Sequence, residues 1–270
     1  MPIKRAGNLL LLEVKADSVI GNFILDTGAP HLVLNKTYFR NYPTFGSVYA
    51  SGITGSASPG VETRLGTLDF GGIYFNDVDA DMISLSHLEE KKGVKILGLI
   101  GLNLFKNLEI LIDIERSTIT LYRLSRTGEP LMLDEIHSKQ PKQILEIEDE
   151  AGVLVITGVL NSKRLRMYID TGAESCVINS GASRKALEKV KITGSRRLIG
   201  AGGKQIEVLS GKVEGLEFKN FQFKSLPVTI ANLNGLSTSY GTKIDGMLGY
   251  DFLASGRMSF NLNKKKMYIW

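Results

Sequence analysis

The sequence predicts an all-β protein of two homologous, strand-rich lobes with a cleft between them, and three observations carry that prediction. The tetrapeptide Asp26-Thr27-Gly28-Ala29 returns 144 residues later as Asp170-Thr171-Gly172-Ala173. A second block, Lys95-Ile96-Leu97-Gly98-Leu99-Ile100-Gly101, returns as Lys243-Ile244-Asp245-Gly246-Met247-Leu248-Gly249 at a shift of 148. Short apolar runs and alternating segments outnumber helical patterns along the whole chain.

Repeated blocks in the same order at nearly the same shift indicate an internal duplication. Leu10–Asn35 lies on Leu154–Asn179 without a gap, and Leu10/Leu154, Ser18/Ser162, Val33/Val177 and Asn35/Asn179 match beyond the motif itself. The second register runs on to Tyr122 against Trp270, where both repeats end, and the four-residue difference between the shifts marks a loop insertion. The expected division is a first lobe over 1–122, a connector over 123–142 and a second lobe over 143–270. The connector holds Gly128, Pro130 and Pro141 among charges, which is linker composition. Its apolar run Leu131-Met132-Leu133 is expected to pack against a lobe.

Within each repeat, Phe23-Ile24-Leu25 and Met167-Tyr168-Ile169 read as buried strands that end on the repeated aspartate. Met258, Phe260 and Leu262 alternate with Ser259, Asn261 and Asn263, as Ile119 and Leu121 do with Thr118 and Thr120; both patterns predict half-buried strands. The best helical segment is Ser183–Lys191, with short turns expected after Gly101 and Gly249.

Composition excludes several classes. The 270 residues are 43% hydrophobic and 23% charged, an ordinary globular balance that does not need disulfides or metals for a core. One cysteine rules out an intramolecular disulfide and a multi-thiolate zinc site, and histidines at 31, 87 and 137 are too scattered for a His-x-x-x-His pair, so no metal and no cofactor are expected. Residues 1–124 carry 12 basic against 13 acidic side chains, and 125–270 carry 21 against 15. The basic runs Lys91-Lys92, Arg196-Arg197 and Lys264-Lys265-Lys266 lack interleaved aromatics and read as solvated turns, so no nucleic-acid partner is expected. Leu9–Leu12, the longest apolar run near the start, is far short of the roughly 20 residues of a membrane span and of the about 7–15 of a signal-peptide core. A cytoplasmic location is therefore the expectation.

Asp-Thr-Gly at the end of a buried strand has a physical logic. A buried carboxylate is costly unless hydrogen-bonded, and glycine two positions on permits a sharp turn that brings backbone N–H groups to it. The threonine hydroxyl between them can tie the loop to whatever lies opposite. If two copies face each other across a pseudo-twofold axis, the carboxylates meet. At about 4 Å two unit charges repel by roughly 4 kcal/mol at an effective dielectric near 20, which is about three pK units. One carboxyl then stays protonated while the other is ionised, and the pair can activate water and protonate an amide leaving group. The aspartic proteases are the known example of such a dyad, which titrates as a unit.

Asp-Thr-Gly-Ala after an apolar strand, followed about 75 residues later by two apolar residues and a glycine (Leu99-Ile100-Gly101, Met247-Leu248-Gly249), resembles the aspartic protease clan of pepsins and retropepsins. Alanine after the glycine is similar to retropepsins, and the chain looks like two retropepsin subunits fused, as in bacterial retropepsin-like proteins. The resemblance implies a bilobal acid-protease fold and an endopeptidase acting on an extended peptide or protein, working as a monomer with internal pseudo-twofold symmetry. It implies that Asp26 and Asp170 hold the attacking water, that Thr27 and Thr171 bond across the interface, and that Gly28 and Gly172 offer N–H groups to the carboxylates. It maps substrate-binding flaps onto Gly52-Ile53-Thr54-Gly55 and Gly200-Ala201-Gly202-Gly203, where Gly52, Ile53, Gly55, Gly200, Ala201 and Gly202 would touch the peptide. It also implies activity at milder acidity than a pepsin. The departures are the lack of a flap tyrosine placed as in pepsins, Tyr49 fitting poorly, and the presence of only about 25 residues before Asp26, too few for a pepsin-like inhibitory prosegment.

The alternative is a catalytically inactive peptide-binding module on the same fold. Cys176 aligns with Leu32 and reads as a small buried apolar residue rather than a nucleophile. His31 reads as a strand-side or cleft-rim residue, Glu174 is open between substrate contact and a structural role, and Phe218, Phe221 and Phe223 read as core. Gly200–Lys204 lacks the first glycine and the hydroxyl residue of a phosphate loop, so nucleotide binding is rejected.

Overall fold

The protein is all-β, and the strands of the described residues are arranged in three sheets. The structure is a computed structural model that describes residues 1–52, 55–150, 152–199 and 205–270, and of 50–52, 55–58, 198 and 199 the backbone alone. Among the described residues no helix is long and apolar enough to cross a membrane.

The first sheet is formed by residues 4–100. Leu9–Ala16 alternates so that Leu10, Leu12, Val14 and Ala16 are buried while Glu13 and Lys15 face solvent, and it pairs with Val19–Leu25. Gly98–Ile100 lies parallel to Val19–Leu25 and antiparallel to Leu32–Asn35. Ile73–Ile83, Gly55–Phe70 and Thr44–Gly52 complete the order, and Gly55–Phe70 returns to pair with the end of Leu9–Ala16, so the sheet closes on itself.

The sheet formed by residues 148–248 repeats these pairings. Gly246–Leu248 lies parallel to Lys163–Ile169 and antiparallel to Cys176–Asn179. The register recurs at the two sequence shifts: Phe23 faces Gly98 as Met167 faces Gly246, and Val33 faces Leu99 as Val177 faces Met247. The long hairpin Val190–Ile199 with Gln205–Val213 stands where Thr44–Gly52 and Gly55–Phe70 stand in the first sheet.

A five-stranded sheet is drawn from the middle of the chain and its C-terminal end. Leu108–Asp113 pairs with Thr118–Arg123 on one side and with Met258–Asn261 on the other, followed by Lys266–Ile269 and Gln143–Glu146. Here the expectation of a half-buried strand is corrected: all four residues of Met258–Asn261 are buried. Met258 and Phe260 join the main core, and the opposite, polar face is covered by the connector. Ser259 Oγ donates to Glu109 Oε1 (2.7 Å), Asn261 Nδ2 donates to Glu109 Oε2 (2.9 Å) and to the Gly128 carbonyl (2.9 Å), and the Trp270 indole donates to Ser259 Oγ (3.1 Å). These bonds make burial of the polar face tolerable.

The connector also departs from expectation. Leu131, Met132 and Leu133 are 64, 81 and 71% exposed rather than packed. A tight turn bridges Leu124 to Pro130 and bonds the Leu131 N–H to the Arg123 carbonyl, so the run stays at the surface. Ile136 is the apolar residue that packs, against Leu111, Tyr122 and Trp270.

Helices are few and short. The turns after Gly101 and Gly249 form, as Leu102–Phe105 and Tyr250–Leu253. The helix expected over Ser183–Lys191 is confined to Arg184–Leu187, because Val190 onward is drawn into the hairpin strand. Ser86–Lys92 and Asn234–Ser239 are helices the pattern did not predict. The first is closed by Gly93, whose φ of +65° lets its N–H reach the Glu89 carbonyl. Lys91-Lys92 is thus a helix end rather than a solvated turn.

Candidate active site

Each repeated aspartate is held where its strand runs out. The Asp26 N–H donates to the Ile100 carbonyl and the Asp170 N–H to the Leu248 carbonyl, both at 3.0 Å. The parallel strand from the second sequence block therefore fixes the first block at its last residue. The glycine ending that block lets the two pass closely. A β-carbon on Gly101 would lie 2.0 Å from the His31 carbonyl oxygen, and one on Gly249 would lie 2.5 Å from that of Ala173.

Both turns are closed alike. The Gly28 N–H donates to Asp26 Oδ1 (2.9 Å) and the Gly172 N–H to Asp170 Oδ1 (2.8 Å). Each glycine serves a second purpose that spacing did not reveal. A β-carbon on Gly28 would stand 2.7 Å from the carboxyl carbon of Asp170, and one on Gly172 would stand 2.6 Å from that of Asp26. Each glycine therefore makes room for the opposite carboxyl group.

The threonines interlock across the same axis. The Thr27 N–H donates to Thr171 Oγ1 (3.0 Å) and the Thr171 N–H to Thr27 Oγ1 (3.1 Å). Each hydroxyl then donates to a backbone carbonyl of the other repeat, Thr27 to Ile169 (2.7 Å) and Thr171 to Leu25 (2.8 Å). Both side chains are buried, so these four bonds stand without competition from water.

The structure brings the Asp26 and Asp170 carboxyls within hydrogen-bonding reach of each other. Burial pushes both above the ordinary carboxylate value, and Asp170 is raised further by the charge and hydrogen bond of Asp26. Shifts in this direction favour retention of a proton by the pair to higher pH than by isolated aspartates.

The carboxyls open into a cavity of about 360 Å³. Two apolar clusters, separate from the main core, wall it: Leu9, Ile24, Ile83, Leu85, Leu88 and Leu99 on one side, and Val153, Tyr168, Val177, Leu236, Tyr240 and Met247 on the other. A larger hollow of about 620 Å³, by Asp113, Lys139, Arg257 and Trp270, contains neither aspartate.

The other expected residues fall as follows. Gly52 pairs with Gly55 across the tip of the first hairpin, and helix Asn234–Ser239 lies alongside strand Thr44–Gly52 of that hairpin. Ile53, Gly200, Ala201 and Gly202 lie outside the described residues. Tyr49 is 79% exposed. His31 is exposed, its Nδ1 paired with the Asn103 amide at 3.0 Å. Cys176 is buried, which pushes its thiol up to about 12. Phe218 and Phe223 are buried against Phe252.

Glu174 has a structural partner set: Lys92 Nζ at 2.5 Å, Lys91 Nζ at 3.8 Å, and Asn8, whose Nδ2 donates to the Glu174 carbonyl at 2.9 Å. Sequence reasoning missed two tyrosines. The Tyr240 hydroxyl donates to the Gly28 carbonyl (3.0 Å), and burial beside both aspartates raises its pKa. Tyr168 stacks at a tilt on Tyr240 with ring centroids 5.5 Å apart, and burial with the Glu150 charge pushes its phenol up to about 12. At the repeat shifts Tyr168 stands for Ile24 and Tyr240 for Lys92. That comparison was available, but nothing in the sequence says that these positions face the cleft.

Two aspartates on repeated turns thus line one cleft. Residues 156–252 match the family described as Aspartyl protease. The matched stretch runs from strand Val153–Leu160 to helix Tyr250–Leu253 and includes Asp170-Thr171-Gly172 and Gly249. This likeness supports a protease. Among curated proteins, none matches the chain.

Proposed function

We propose that the chain is an aspartic endopeptidase in which Asp26 and Asp170 share one proton and activate a water molecule between them. The observation that carries the reading is the meeting of two buried carboxyls, one from each repeated motif, at the floor of a single cleft. Water held between them gives a proton to the ionised carboxylate as its oxygen attacks the peptide carbonyl, while the protonated carboxyl donates to the carbonyl oxygen. The resulting tetrahedral diol collapses as the carboxyl that took the water's proton passes it to the amide nitrogen, which leaves, and a diol hydroxyl gives its proton to the other carboxylate, restoring the singly protonated dyad. No covalent acyl intermediate forms, and no cofactor takes part.

In this reading residues 1–122 and 143–270 are lobes joined by 123–142, and the substrate lies extended between them. The recurrence of the same strand registers at the two shifts supports duplication. Alanine at 29 and 173 supports likeness to retropepsins, with an optimum less acidic than that of a pepsin. Because one chain supplies both aspartates, a monomer is sufficient. Gly52 and Gly55, at the tip of a hairpin whose strand Thr44–Gly52 reaches helix Asn234–Ser239, belong to a flap over the cleft.

The test is cleavage of a diverse peptide library between pH 3 and 7 by the unaltered protein and by Asp26→Asn. Cleavage abolished by the substitution is expected. Cleavage that survives it overturns the dyad, and peptide binding without cleavage in the unaltered protein favours the non-catalytic module. An optimum near pH 2 contradicts the milder-acidity expectation.

A further inference from the structure

The two walls of the cleft are equivalent by sequence and different in chemistry. On the first wall Ile24, Ile83, Leu85, Leu88 and Leu99 present only hydrocarbon. On the second, Ile24 is replaced by Tyr168, the residue two before its aspartate, flanked by Val153, Leu236 and Met247. Tyr168 is only 3% exposed, and its hydroxyl finds no partner among the described residues. Arg197 lines the cavity from an exposed position, and the more enclosed polar groups of this wall are already engaged. Tyr240 donates to the Gly28 carbonyl, and Arg196 donates to Ser175 Oγ and Thr229 Oγ1. A buried donor left without an acceptor is costly, so this wall is incomplete until something supplies one.

Resting on the protease reading, we propose that the cleft distinguishes the two residues flanking the cleaved bond, taking an aliphatic side chain against Ile24 and an amide side chain, asparagine or glutamine, against Tyr168. The amide carbonyl accepts from the phenol, and the phenol oxygen accepts in return from the amide NH2. A purely apolar side chain leaves the phenol unpaired. A carboxylate also offers an acceptor, but it enters beside the negative charge of the aspartate pair and loses its hydration in an apolar pocket. The polar side chains on the first side of the cavity, Asn8 and Lys91, are both turned to Glu174, and Ile24 stands where Tyr168 stands on the second, so the preference is one-sided although the fold is repeated.

The test is a set of quenched fluorescent peptides with leucine on one side of the scissile bond and asparagine, glutamine, aspartate, leucine or methionine on the other, in both orders. The unaltered protein is expected to cleave one order of the Leu/Asn or Leu/Gln peptides with kcat/KM about tenfold above Leu/Leu and Leu/Met. In Tyr168→Phe, which keeps the ring and removes the hydroxyl, that ratio falls to about one. A general structural loss lowers every peptide alike and leaves the ratio standing, which overturns the proposal, as does a preference for aspartate. The same peptides are titrated by fluorescence polarisation against Asp26→Asn and against Asp26→Asn/Tyr168→Phe. If the unaltered protein cuts nothing, the protease reading fails while the affinity ratio still decides the pocket.

Discussion

Replacing Thr27 with valine keeps the shape of the side chain and removes its hydroxyl. The hydroxyl donates to the Ile169 carbonyl at 2.7 Å and accepts from the Thr171 N–H at 3.1 Å, so the substitution strands two buried backbone groups of the other repeat. An unpaired buried group costs about 1–3 kcal/mol, so the expected loss is about 2–6 kcal/mol. A protein stable by about 5–15 kcal/mol feels such a loss strongly. Thr27→Ser is the control, because it keeps both bonds and gives up one methyl group worth about 1 kcal/mol. Urea unfolding followed by circular dichroism and by the single Trp270 measures both variants. The reasoning is refuted if valine and serine at this position unfold within about 0.5 kcal/mol of each other. By the same geometry Thr171→Val, which strands the Leu25 carbonyl and the Thr27 N–H, costs a similar amount.

Three further outcomes follow from the geometry. Gly101→Ala forces a β-carbon to within 2.0 Å of a backbone carbonyl and is expected to abolish folded yield, whereas Gly194→Ala, with nothing within 4 Å, leaves the thermal midpoint unchanged. The raised pKa of Asp170 means that the folded protein binds protons the unfolded chain does not, so stability falls as pH rises above the ordinary value of 3.8. Asp170→Asn, which removes a charge disfavoured first by burial and then by the Asp26 carboxylate, is therefore expected to melt above the unaltered protein at pH 7, with the gap closing below pH 3.8, as calorimetry at several pH values reads. Buried Cys176, its thiol raised to about 12, is expected to resist iodoacetamide in the native protein and to react in denaturant, as mass spectrometry records.

Much of the architecture is written in the chain because duplication turns one sequence into its own comparison. The strand ending on each aspartate, the parallel strand beside it and the short helix after Gly101 and Gly249 follow from two blocks and their spacing. The helix Ser86–Lys92 is not legible, because its lysines beside Gly93 read as a solvated turn. What could not be read is which residues meet across the cleft. Glu174 with Lys92, and Tyr240 with Gly28, are 82 and 212 residues apart, and neither pairing leaves a periodic trace. The polar face of Met258–Asn261 misled for a related reason. Alternation predicts one face toward water, but Glu109, 150 residues before Ser259, supplies acceptors that allow burial under the connector.

The central claim, one proton divided between Asp26 and Asp170, is tested most directly by carbon NMR of protein labelled at the aspartate carboxyl carbons and titrated from pH 2 to 8. The account predicts two coupled steps for this pair, one of them well above the ordinary 3.8, replaced in Asp26→Asn by a single transition that is lowered by loss of the Asp26 charge but kept above the ordinary value by burial. Two independent transitions near 3.8, unaltered by the substitution, contradict it.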